Sequence, residues 1–137
     1  MSIQTNGPVL KGLACIYIPV SNPYDSALWY IKNFDMEVAG YSQPLVPGKD
    51  MVSLRTGSGY NFFLIQSNDG RTLSFHNKDG YHQPAFCILV EDLQAVFQRL
   101  KANNVVFGDI VLRDRESCGT DLEVLDPDGN KFQLCQQ

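Results

Sequence analysis

No run of eighteen apolar residues occurs in this 137-residue sequence, so no segment reads as a membrane-spanning helix. No cluster of Lys and Arg occurs either. Eleven basic residues stand against fifteen acidic ones, for a formal net charge of −4. That balance argues against nucleic acid as a partner. The four cysteines, Cys15, Cys87, Cys118 and Cys135, form no CxxC and no other close spacing. The first residues, Met1 to Gly7, lack a charged-then-apolar leader. Together these absences give the expectation of a cytoplasmic protein with reduced thiols. Only two histidines are present, His76 and His82, both in a polar stretch where a solvated side chain is the ordinary outcome. His82, three residues ahead of Ala85, is the one placed where it could also serve as a ligand.

What remains is an ordinary globular composition, 44% apolar and 19% charged, with enough chain for one domain and a sizeable core. Its most legible stretch is the end. Asp126-Pro127-Asp128-Gly129 is turn chemistry, because proline presets φ and glycine takes a conformation that other residues reach with strain. Asn130 to Gln136 then alternates, with Phe132 and Leu134 on one side and Lys131, Gln133 and Cys135 on the other. Asp121 to Leu125 supplies the partner strand, with Leu122 and Val124 apolar. This predicts a hairpin with one packed face.

Seventy residues upstream the pattern recurs. Gly129 falls on Gly59, Phe132 on Phe62, Leu134 on Leu64, Gln136 on Gln66 and Val90 on Val20. A fixed period of this length means a duplicated supersecondary unit.

In chain order, residues 1–10 read as an arm and 11–137 as one domain: a first unit at 11–67, a linker at 68–84 and a second unit at 85–137. Leu13 to Val20 is a strand. Ser21-Asn22-Pro23 starts a helix, a capping side chain followed by proline where its missing N–H costs nothing. Tyr24, Ala27, Leu28 and Ile31 give it an apolar stripe. Trp29 and Tyr30 fall just off that stripe and read as packing residues. Glu37 to Tyr41 is predicted as a short strand. Met51–Arg55 and Asn61–Gln66 make a hairpin around Gly57-Ser58-Gly59. The linker has a short ordered piece at Leu73–Phe75. Ala85 to Val90 restarts the unit. Asp92 caps a second helix with the stripe Leu93, Val96, Phe97 and Leu100. Val105 to Leu112 is a strand and Arg113 to Thr120 a polar loop. The prediction is an α+β fold of two βαβββ units.

Each helix stripe covers one face of its sheet, and the sequence offers nothing obvious to cover the other. Parity assigns that open face: Cys15, Tyr17, Ser53, Arg55, Asn61 and Phe63 in the first unit; Cys87, Leu89, Glu123, Lys131, Gln133 and Cys135 in the second. Two open faces can curl into one cleft or be covered by another subunit. The mixture of aromatic, apolar and polar groups suits a small-molecule site. Arg55 could grip a ligand carboxylate or phosphate. Glu123 is the candidate base, and Lys131 reads as a charge that keeps an edge soluble.

The βαβββ repeat, the Pro19-Val20 strand end before a capped helix carrying Trp29-Tyr30, and the Asp126-Pro127-Asp128-Gly129-Asn130 turn resemble the vicinal oxygen chelate superfamily. That superfamily includes glyoxalase I, bleomycin- and fosfomycin-resistance proteins and extradiol dioxygenases. The resemblance covers residues 11–136. It implies a curved mixed sheet enclosing a cleft, and a homodimer. In metal-dependent members the ligands sit on the cleft face of four strands; those places fall here on Cys15, Phe63, Ala85 and Gln133. Phe63 and Ala85 cannot ligate, and a divalent ion needs three or four good donors. No cofactor is therefore expected.

The first reading is a metal-free binder of a small organic molecule, using Cys15, Tyr17, Arg55, Phe63, Cys87 and Gln133. The second is a lyase or isomerase of the glyoxalase kind, with an atypical zinc or nickel site or with Glu123 as a metal-free base. Zinc is conceivable because Cys15, Cys87 and Cys135 share open-face parity. The third is an interaction module whose cleft is filled.

Overall fold

Strand parity and turn chemistry place the main ladders where the sequence predicts them. The computed structural model describes residues 6–137; of the predicted arm, residues 1–5 lie outside the described residues, while 6–10 are exposed and belong to no helix or strand. The first unit runs β1 (Cys15–Val20), α1 (Pro23–Phe34), β2 (Glu37–Val38), β3 (Met51–Arg55) and β4 (Asn61–Gln66). The linker folds into a small hairpin, β5 (Phe75–His76) with β6 (His82–Gln83). The second unit is β7 (Cys87–Leu89), α2 (Leu93–Ala102), β8 (Val106–Phe107), β9 (Arg113–Asp114), β10 (Thr120–Leu125) and β11 (Lys131–Gln136).

Local chemistry explains these bounds. Asn22 Oδ1 accepts from the Asp25 amide at 3.2 Å ahead of Pro23, and Asp92 Oδ1 accepts from the Ala95 amide at 3.1 Å. Both are side-chain caps on amides that the helix leaves unpaired. Gly129 closes the last turn at φ +86°, a left-handed conformation that a Cβ would strain.

The strands form two sheets, ordered β1-β4-β3-β2 and β7-β11-β10-β8, with β9 pairing on β10. In each, the first strand of the unit runs parallel to the last. The repeat is carried by the register itself. Tyr17 faces Phe63 and Phe63 faces Ser53; seventy residues on, Cys87 faces Gln133 and Gln133 faces Glu123.

α1 and α2 touch one another, and the two units share one core. Phe62 meets Phe86 edge to face at 5.7 Å, Phe86 stacks on Phe132 at 5.3 Å, and Tyr30 stacks on Phe132 at 6.2 Å. Each such ring contributes about 1.5–3 kcal/mol on burial. Separating the units would expose several at once. Asn130 clips the seam: Nδ2 donates to Pro19 O at 2.9 Å, and Oδ1 accepts from the Leu73 amide at 2.7 Å.

Four expectations are corrected. The buried side of α1 is Pro23, Ser26, Ala27, Tyr30 and Asn33, rotated from the predicted stripe, and Leu28 is 44% exposed. The rotation follows Tyr30, whose hydroxyl donates to buried Asp126 Oδ2 at 2.9 Å. The strand predicted at 37–41 stops at Val38, where Gly40–Ser42 turns into a 3-10 helix. The strand predicted at 105–112 is two residues long, because Gly108 passes under the Glu123 and Lys131 side chains. Lastly, the face of the second sheet away from α2 is covered over β10 and β11, while Cys87 and Leu89 on β7 stay exposed as predicted. The β5–β6 hairpin and the 108–115 segment fold over it, leaving Asp121, Glu123 and Lys131 buried. Lys131 is thus an interior cation and not an edge charge.

Candidate functional site

The two predicted walls differ in character. On the first sheet, the face away from α1 is open and aromatic. Tyr17 on β1 stacks on Phe63 of β4, with ring centroids 5.4 Å apart and planes 23° apart. On its other side Phe63 stacks with Tyr41 at 6.5 Å and 24°. Tyr41 comes from the 3-10 turn, held by its hydroxyl donating to Ser53 Oγ at 2.8 Å. Tyr17 is 61% exposed and Tyr41 64%. Three roughly parallel rings therefore stand in one row, the outer two open to solvent and Phe63 half-buried between them.

Beside this row, the register aligns Cys15, Asn61 and Arg55. The Cys15 thiol holds the Tyr17 phenol above its ordinary value. Asn61 Oδ1 is covered and receives no donor among the described residues. Arg55 is exposed and makes no ion pair among them. A shallow depression of about 690 Å³ runs along the same sheet past Tyr17, Pro19, Ile65 and Gln66.

On the second sheet the wall is charged and already occupied. Glu123 and Lys131 pair at 3.0 Å. Glu123 Oε1 also accepts the Asp109 and Ile110 amides at 3.0 and 3.2 Å, and Oε2 accepts from the Tyr81 hydroxyl. Lys131 Nζ donates to His82 O at 2.7 Å and lies 4.5 Å from the Tyr81 ring centre. Burial works against the Lys131 charge, but its bonds to Glu123 and Asp109 outweigh that and hold the ammonium above its ordinary value. Burial, then Glu123, raises the Tyr81 phenol. Next to this pair, Asp121 is fully buried. It accepts from Arg113 Nη2 at 2.5 Å and from the Gln133 amide.

The predicted residues thus fall into two groups. Cys15, Tyr17, Arg55 and Phe63 line the first wall. Cys87 and Gln133 face one another on the second, and Cys87 Sγ lies 3.0 Å from Cys135 Sγ. No hydrogen bond or ring contact among the described residues joins the groups. Glu123 has four donors on its two oxygens and about 1% exposure, so no lone pair is presented to a substrate. His82 belongs to the cover: its Nε2 meets Ser74 Oγ at 2.7 Å and its ring stacks on His76 at 5.0 Å. Sequence reasoning missed Tyr41, Tyr81, Asp121 and Arg113. Asp121 shares the parity of Glu123 and was available to that argument; Tyr41 and Tyr81 lie outside regular strands, where parity has no purchase.

The donors do not suit a divalent metal. At the four strand places, Phe63 offers a ring and Ala85 a methyl group, while the Gln133 amide is engaged by Asp121. Among the described residues no three His, Cys, Asp or Glu side chains gather closely enough to hold an ion.

A second cavity, of about 390 Å³, lies on the helix side between the units. Phe34, Phe62, Val96, Phe132 and Leu134 line it, with Arg99 among them. Strand parity cannot find it, because its walls are core residues.

A family model described as the Glyoxalase/Bleomycin resistance protein/Dioxygenase superfamily matches residues 12–134. Solved structures agree on the fold. A glyoxalase/bleomycin resistance protein/dioxygenase superfamily member from Sphaerobacter thermophilus is 18% identical, with 95% of this chain and 100% of that chain covered and a TM-score of 0.70. The fosfomycin resistance protein FosX from Listeria monocytogenes is 14% identical, with 94% and 95% covered and a TM-score of 0.69. The antibiotic binding protein TnmS3 from Streptomyces sp. CB03234 is 15% identical, with 95% and 98% covered and a TM-score of 0.67.

Proposed function

The chain belongs to the glyoxalase/bleomycin resistance protein/dioxygenase superfamily, and from that premise we propose that it binds a small, flat organic molecule against the aromatic wall of its first sheet, without a divalent metal. The observation that carries this reading is the row Tyr17–Phe63–Tyr41, two exposed tyrosines flanking a half-buried phenylalanine. Rings left in water beside one another gain both apolar burial and stacking when a planar ligand covers them. Arg55, exposed and without a partner ion among the described residues, supplies a counter-charge for a carboxylate or phosphate on the ligand. That TnmS3 is an antibiotic binding protein supports the class of ligand, though not its identity.

A second copy of the chain is the natural lid for this wall, since nothing in the described chain covers Tyr17 or Tyr41. Catalysis by Glu123 is disfavoured by its four donors and its burial. An imidazole or carboxylate set for metal chemistry is missing at the strand places.

A thermal-shift screen with planar aromatic acids tests the proposal. A ligand at one hundred times its Kd stabilises the folded state by about 2.7 kcal/mol. Tyr17→Ala and Phe63→Ala should each abolish the shift. Val96→Trp, which fills the helix-side cavity, should leave it intact. A shift lost in Val96→Trp and kept in Tyr17→Ala would move the site off the sheet and end the proposal.

A further inference from the structure

Two thiols in this structure touch without being bonded. Cys87 lies on β7 and Cys135 on β11, on neighbouring parallel strands where Cys87 pairs with Gln133 and Cys135 with Leu89. Their sulfurs are 3.0 Å apart, and both cysteines are free. A disulfide has S–S of about 2.05 Å. The gap left to close between the sulfurs is about 1 Å. Access is one-sided: Cys87 is exposed and Cys135 is 6% exposed. β7 is also a three-residue edge strand that, among the described residues, pairs with β11 alone.

We propose that Cys87 and Cys135 are a reversible dithiol–disulfide pair that staples the edge strand β7 to β11. The oxidant is a small soluble disulfide. The Cys87 thiolate attacks one sulfur of that disulfide, forming a mixed disulfide and releasing one thiol. The Cys135 thiolate then attacks the Cys87 sulfur, closing the protein disulfide and releasing the second thiol. Two protein thiols are oxidised, one small disulfide is reduced to two thiols, and the two protons pass to the released thiolates. The same steps in reverse reopen the pair.

Desolvation around its sulfur, although the residue is exposed, and then the contact to Cys135 push the Cys87 thiol up to about 12. Little thiolate is present at neutral pH, so the exchange is slow there and accelerates as pH rises. This separates the pair from a fast peroxide sensor. It places the pair on the reversible rung of thiol oxidation.

The test uses the intact protein incubated with oxidised glutathione at pH 8. The expected result is that the Cys87 and Cys135 thiols are lost together. Peptide mapping should link residue 87 to residue 135, with a loss of about 2 Da from the linked peptides and no glutathione on either residue. Dithiothreitol should restore all four thiols. Cys118→Ser should oxidise as the parent does, since Cys118 is the other exposed cysteine. Cys135→Ser should stop at a stable glutathione adduct on Cys87. The oxidised parent should also melt at a higher temperature than the reduced one, and Cys87→Ser should show no such difference. A stable adduct on Cys87 of the parent, a bridge from Cys87 or Cys135 to Cys15 or Cys118, or four unreacted thiols would each overturn the proposal.

Discussion

Lys131 Nζ lies 3.0 Å from Glu123 Oε1, and both side chains are about 1% exposed. An ion pair this deep is held by its surroundings as much as by its own attraction. Taking two charges out of water is expensive, and only added hydrogen bonds offset it. Here the Asp109 and Ile110 amides, Tyr81 and the His82 carbonyl provide them. The pair ties the linker hairpin and the 108–115 segment onto the second sheet, and so decides which of the two walls remains open.

Removing one partner should therefore cost more than removing both. Lys131→Met leaves Glu123 buried without its cation and should destabilise by about 3–5 kcal/mol. Glu123→Gln combined with Lys131→Met should cost clearly less than Lys131→Met alone. Urea unfolding of the three proteins measures this. Equal losses would mean that the pair is not coupled.

Gly108 tests the same region by volume. A Cβ there would fall 2.7 Å from Glu123 Cβ and 2.7 Å from Lys131 Cε, whereas one at Gly57 would meet nothing within 4 Å. Gly108→Ala should cost about 1–3 kcal/mol through overpacking. Gly57→Ala should change stability far less. Calorimetric melting of both variants checks the contrast.

Tyr30 and Asp126 join the units chemically as well as sterically. Asp126 Oδ2 accepts from the Tyr30 hydroxyl and from Asn130 Nδ2, each at 2.9 Å, while Oδ1 accepts the Asp128 and Asn130 amides. Tyr30→Phe keeps the ring stack on Phe132 and removes one bond to a charged group, at about 1.5–3 kcal/mol. Tyr30→Leu should cost more, since the aromatic contacts go too. Chemical denaturation separates the two losses.

His82 sets a pH dependence. Burial, with Lys131 and His76 nearby, lowers its pKa from 6.5. The unfolded chain then binds a proton at higher pH than the folded one. The stability that depends on neutral His82 is complete above the unfolded value and is lost as pH falls through the folded value. The melting temperature should drop as pH falls from 7.5 to 5. His82→Asn should flatten that part of the profile. An unchanged slope in the variant would assign the dependence to another group.

Sequence and structure agree where side-chain alternation is the only information needed. The facing of Tyr17 with Phe63, and of Cys87 with Gln133, follows from period two and a seventy-residue repeat. The face of α1 did not follow, because Asn33 and Ser26 look solvent-facing in a sequence. Asn33 in fact donates to Trp29 O and accepts from Asn103 Nδ2 inside the fold. Nor did the covered second wall. Nothing local to Lys131 announces that Tyr81 and Asp109, distant in sequence, will close over it. Tyr41 reaches the aromatic row from a turn, where alternation says nothing.

The most direct measurement is amide chemical-shift mapping of the labelled protein with a planar aromatic acid identified by the melting screen. Perturbations clustered at Tyr17, Tyr41, Phe63 and Arg55 are predicted. Perturbations clustered instead at Phe34, Val96 and Phe132 would contradict the account and place the ligand between the helices.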